Sequence, residues 1–237
     1  MRAGLIAPPS LTLDHLVVAA RTLEEGVVWC EATFGVVPGA GGQHAAMGTH
    51  NRVVSIASEA FPQAYLEIIA IDPAAPAPAG ARWFDLDAGS VQRSLDAGPQ
   101  LVHWAARCAG IDAACAVMAS AGADCGAPRA AERQSPAGLL QWKISIHREG
   151  RRALCGAAPT LIEWSGPHPT EAMPASGVTL ESVAVGDWPD DAMGMLPPSV
   201  SLDLDGDPAA DTGPAPLVAV LVGPRGRVRL ASAWPEL

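Results

Sequence analysis

The chain has 237 residues, 49% of them hydrophobic, and a formal net charge of −10. That apolar content excludes global disorder, and the absence of any Lys/Arg run leaves nothing to displace counterions from a phosphate backbone, so nucleic acid is not an expected partner. No apolar run reaches membrane-spanning length, and Met1 to Ser10 carries too short an apolar stretch for a secretory signal, so no membrane contact and a cytoplasmic location are expected.

In chain order, Leu11 to Ala20 reads as a strand containing His15. The acidic start Thr22-Leu-Glu-Glu then opens an amphipathic helix that runs to Phe34-Gly35. The turn-rich stretch Gly39 to Gly48 should hold a short strand. Asn51 to Ala57 and Tyr65 to Ile71 read as two more. Asp72 to Asp96 is a connector. Its Pro/Ala-rich start cannot be regular, and Arg82-Trp83-Phe84-Asp85 should pack as a lid or short helix. The pattern then repeats: a strand Leu101 to Cys108 with His103, a helix from Ile111 to Ala121-Gly122, and strands Leu139 to Ile146 and Pro159 to Trp164. Pro167-His-Pro169 reads as a linker, with His147 and His168 solvated near turns. A third, incomplete copy follows, with Ser182 where the histidines stood and a closing strand near Arg227 to Leu230.

His15 precedes Leu23 by eight residues, and His103 precedes Ile111 by eight. The shared offset marks two copies of one βαβββ unit. The expected fold is α+β: paired modules over 10–166 (module 1 about 10–72, module 2 about 99–166), with a C-terminal partial module over 177–237. Five cysteines without a C-x-x-C read as reduced thiols. Asp203-Leu-Asp-Gly-Asp207 is rejected as a calcium loop, because its glycine is early and its twelfth position is Pro214.

The chemistry sits at matched places. Each copy has a histidine on its first strand, His15 and His103, and a glutamate among apolar residues of its last, Glu67 and Glu163. A lone buried carboxylate is costly and is usually paired in the core. Matched histidines and glutamates in both copies favour convergence on one divalent metal, with Fe, Mn, Zn, Ni and Co all suiting such donors.

At these residues the sequence resembles the vicinal oxygen chelate superfamily of glyoxalases, bleomycin-resistance proteins and dioxygenases, and within it the glyoxalase-like domain family of largely unassigned function. The matching stretches are Leu13-Asp-His-Leu-Val17, Gly41-Gly-Gln-His44, Gly48-Thr-His-Asn-Arg52, Tyr65-Leu-Glu-Ile-Ile-Ala70 and Leu161-Ile-Glu-Trp164 with Pro167-His-Pro169. The resemblance implies a curved, half-open mixed sheet forming a cup with helices outside. It also implies a metal at His15, Glu67, His103 and Glu163, with His44 or His50 recruited if His103 faces away. Glu67 or Glu163 would be the general base. His44, His50, Asn51, Arg52 and Trp142 would line the substrate pocket, and Arg133 and Lys143 could meet an anionic substrate. The reading is a metal-dependent lyase, isomerase or dioxygenase acting on a small oxygen-chelating molecule. The alternative is a non-catalytic protein that sequesters small molecules. A homodimer is left open.

Overall fold

The computed structural model describes residues 9–135, 138–203 and 215–232. Most of the rejected calcium-loop stretch, 204–207, and the start of the N-terminal segment, 1–8, lie outside the described residues. Module 1 runs β1 (Thr12–Ala19), α1 (Leu23–Phe34), β2 (Gly39–His44), β3 (Thr49–Ser55) and β4 (Tyr65–Ile71). A short helix, α2 (Gly89–Ser94), lies in the connector. Module 2 runs β5 (Gln100–Arg107), α3 (Ile111–Ser120), β6 (Ala127–Ser135), β7 (Gly138–Ile146) and β8 (Thr160–Trp164).

The first helix forms where its ends are satisfied. The Thr22 hydroxyl accepts from Glu25 N, two acids sit in the first turn, and Gly35 closes the helix at φ 79°. A closer constraint fixes its seat. A Cβ on Gly26 would meet Ile68 Cγ2 on β4 at 2.4 Å and the Ala20 Cβ at 3.1 Å. We expect Gly26→Ala to destabilise the protein by about 1–3 kcal/mol through overpacking, despite alanine's better helix propensity. A lowered urea midpoint would show it.

Both modules share one eight-stranded sheet in the order β2-β3-β4-β1-β5-β8-β7-β6. First and last strands pair parallel within each module, β1 with β4 and β5 with β8, and β1 meets β5 antiparallel at the centre. The sheet curls into a nearly closed cup. Its edges meet where Arg133 on β6 donates to the Gly41 carbonyl on β2 at 3.3 Å. Closure is therefore internal to one chain.

Strand alternation divides the apolar side chains between two cores. Leu16, Val18, Leu66, Ile68, Trp104 and Leu161 face outward under α1, α3 and the C-terminal unit. Val17, Ala19, Ile69, Ala105 and Ile162 face the interior. The connector is an internal plug: Trp83, Phe84 and Leu86 are buried in that interior core. Phe84 and Asp85 hold left-handed φ values of 60° and 57°, each costing about 1–3 kcal/mol for a non-glycine residue. Their anchors are a bond from Asp85 N to Gly150 O and the buried Arg152, whose Nε donates to Asp85 Oδ2 at 2.8 Å.

The C-terminal unit forms a second sheet of β9 (Thr179–Val185), β10 (Val200–Leu202), β11 (Leu217–Gly223) and β12 (Gly226–Ala231), ordered β10-β9-β11-β12. It does not repeat the module pairing. Its first strand lies parallel to its second and antiparallel to its third, and a 3₁₀ turn at Asp190–Met195 stands where the modules have a helix. No helix among the described residues is long and apolar enough to cross a membrane.

Candidate active site

The site begins with an irregularity in β1. Leu13 pairs with Ala106 and His15 with Ala105, so Asp14 is an extra residue, a β-bulge. A bulge re-aims side chains that regular alternation would send to opposite faces. Asp14 thereby turns back onto its own neighbour, and its Oδ1 lies 2.7 Å from His15 Nδ1. β5 carries the matching bulge: Val17 pairs with His103 and Val18 with Leu101, leaving Val102 as the extra residue. The module 2 counterpart of the carboxylate is thus a valine.

Asp14 is fully buried and its remaining oxygen accepts twice. Trp164 Nε1 donates to Oδ2 at 3.0 Å, and His168 Nε2 lies 3.0 Å from the same atom. The His168 tautomer follows from its other nitrogen. The Thr170 backbone N–H donates to Nδ1, so Nε2 carries the proton and donates to Asp14. The linker histidine expected in solvent is buried beneath the site.

Across from this pair stands Glu67 on β4. Asn51 Nδ2 donates to Oε1 at 2.5 Å, and Asn51 Oδ1 accepts from Gly42 N at 2.7 Å. The glycine motif serves this contact, because a Cβ on Gly41 would lie 2.2 Å from Asn51 O and Oδ1. His15 Nε2 stands 3.8 Å from Glu67 Oε2, and His44 Nε2 stands 4.0 Å from Oε1. The 3.8 Å gap is too long for a direct hydrogen bond and short enough for one substrate atom to touch both groups. Tyr65 stacks on His15 with ring centroids 4.6 Å apart, and Trp83 packs edge-on to His44. Trp142, Ile144, Ile162, Trp164 and Arg133 complete a small cleft of about 30 Å³.

Burial works against a charged His15, but the hydrogen bond to Asp14 and the charges of Asp14 and Glu67 outweigh it, raising the pKa. Burial likewise opposes ionisation of Asp14, yet the bonds from His15 and His168 hold its pKa well below the usual carboxylate range. His44 goes the other way. Burial, with Arg133, His15 and His50 adding positive charge, lowers it to about 4 against the pull of Glu67. His103 is held far below its ordinary value by burial and by Arg152 and His15.

Of the expected ligand set, the structure brings His15 and Glu67 together and places the other two elsewhere. His103 faces the other side of the plug, packed on Phe84, with Nε2 accepting from Thr160 N at 3.0 Å. Glu163 points outward. Val17 pairs with Glu67 in module 1 and Ala105 with Thr160 in module 2, so the counterpart of Glu67 is Thr160. Glu163 lies three residues further along, and an odd offset puts it on the opposite face. There its carboxylate accepts from Gly110 N at the start of α3, a helix without a side-chain cap. We expect Glu163→Gln to cost only about 0.5–1 kcal/mol, as a lost cap does, and to leave the His15 titration unchanged.

Of the residues expected to line the pocket, His44, Asn51 and Trp142 do so. His50 and Arg52 alternate to the other face of β3, where His50 lies 4.0 Å from Asp72. Lys143 also faces outward, 3.3 Å from Asp112. The four expected ligands therefore do not fit one ion. Among the described residues, no group of three or more His, Cys, Asp or Glu is arranged to hold a metal.

A family model described as a glyoxalase-like domain matches residues 13–194, and the chain belongs to that family. Its fold is that of the vicinal oxygen chelate superfamily. A hypothetical protein from Staphylococcus aureus is similar at 14% identity, covering 94% of this chain and 86% of its own, with a TM-score of 0.56. Methylmalonyl-CoA epimerase from Streptomyces coelicolor, in complex with 2-nitronate-propionyl-CoA, is 17% identical over 67% of this chain and 99% of its own (TM-score 0.41). The Mycobacterium tuberculosis epimerase is 16% identical over 72% and 99% (TM-score 0.39). These likenesses concern fold. No curated protein matches the chain.

Proposed function

We propose that this protein is an enzyme that moves a proton on a small oxygen-bearing substrate, an isomerase or lyase, with Glu67 as general base and His15 as its acid partner. The observation that carries the reading is the 3.8 Å gap between His15 Nε2 and Glu67 Oε2, each group held from behind by a buried partner. Glu67, oriented by Asn51, takes a proton from a carbon next to a carbonyl. His15, kept protonated by Asp14, donates from Nε2 to the oxygen on which charge develops. Two carboxylates and an imidazole thus hold separate roles set by their surroundings. Trp83, Phe84, Trp142 and Trp164 wall the cleft and keep bulk water from the developing charge. His44, held neutral, leaves His15 as the cation of the pair.

The test is hydrogen exchange from D₂O into 2-oxo acids and α-oxoaldehydes, followed by NMR. Exchange by the wild type that is lost in His15→Asn supports the reading. Exchange unchanged in that variant contradicts it, as does stoichiometric metal whose removal abolishes exchange. Tight binding of these compounds with no exchange would favour the sequestering alternative.

A further inference from the structure

Resting on the proton-transfer reading, we propose that the substrate is an amphipathic carboxylate, its anionic group held by Arg133 and its aliphatic body lying in the groove beside β2. The polar cleft, about 30 Å³, has room for one functional group and no more. The rest of any larger molecule must lie outside it. Among the described residues, the one that walls both this cleft and a second cavity is Arg133.

That second cavity is of the size that small-molecule sites occupy, about 350 Å³. Its walls include Val36, Val37, Val53, Met173 and Pro174, and among the described residues Arg133 is the only charged side chain that lines it. Val53 pairs in register with Glu67, so the groove wall is one strand spacing, about 4.8 Å, from the base. Val37, 62% exposed, is an apolar surface that a ligand chain would cover.

Arg133 makes no ion pair among the described residues. Its contact is the 3.3 Å bond to the Gly41 carbonyl, which leaves other guanidinium N–H groups to receive an anion. Its charge reaches the cleft, where it acts on His44 and Tyr65. A planar guanidinium matches a carboxylate in two-point geometry. One guanidinium in a chain of net charge −10 suits a monoanion better than a phosphate dianion.

The test is calorimetric binding of octanoate, acetate and 1-octanol to the full chain. Octanoate should bind about tenfold or more tightly than acetate, for its chain, and than 1-octanol, for its charge. Arg133→Gln should remove the preference over 1-octanol, and Arg133→Lys should restore part of it, which a packing role would not predict. Equal binding of acetate and octanoate, or wild-type octanoate affinity in Arg133→Gln, would overturn the proposal. Octanoate binding as predicted, with no hydrogen exchange on any carbon acid, supports this substrate class and contradicts the proton-transfer reading.

Discussion

Asp14→Ala should lower the unfolding free energy by about 3–5 kcal/mol, the range for breaking a buried charged pair by removing one partner. The loss is large because three donors, the buried His15 Nδ1 and His168 Nε2 and the partly buried Trp164 Nε1, share this one carboxylate. The pH dependence carries the signature. The Asp14 pKa is lowered from 3.8, so its contribution is present above that value and lost as pH falls through the folded pKa; the His15 pKa is raised from 6.5, so its contribution is full below that value and lost as pH rises through the folded pKa. Both are present together between 3.8 and 6.5. Urea unfolding at pH 5.5 should therefore show the widest gap between wild type and variant, narrowing at pH 9. An unchanged gap would mean that no charged pair exists.

Glu67→Gln should reduce hydrogen exchange by about a hundredfold to ten-thousandfold, the range for removing a general base. The amide keeps an oxygen for Asn51, so the fold and the site's shape should survive. Octanoate affinity should then match wild type, because the anion contact belongs to Arg133. A comparable loss from Glu163→Gln would contradict the placement of Glu163 on the outer face.

The fold was legible because the repeat is written in spacing. The equal His-to-helix offsets and the alternating last strands predict two modules, and the eight-stranded sheet contains both. The His15 and Glu67 pair was legible because both are polar residues on strands whose other residues are buried. What remained hidden depends on register. Glu163 looks equivalent to Glu67 by its apolar neighbours, but only strand pairing shows that Thr160 is the true counterpart. Strand alternation gave no role to Asp14, because ideal alternation turns it away from His15 and the bulge that brings it back has no sequence mark. His168 sits between two prolines, which suggests an exposed turn; its burial comes from the distant Asp14. The connector segment Arg82-Trp83-Phe84-Asp85 was expected as a lid or short helix, and its aromatic pair instead fills the cup interior. The C-terminal unit shows the limit of repeat reading, because strand and turn content alone does not determine which strands pair.

Two related half-sites face the interior, and only the module 1 half keeps its carboxylates. Asp14, His15 and Glu67 stand where module 2 has Val102, His103 and Thr160. NMR titration of the histidine ring protons, with each signal assigned by a His→Gln variant, tests this asymmetry without a substrate. His15 should titrate above 6.5, and His103 well below it. Matching titration of His15 and His103 near the ordinary histidine value would contradict the claim that the acid–base machinery lies in one module alone.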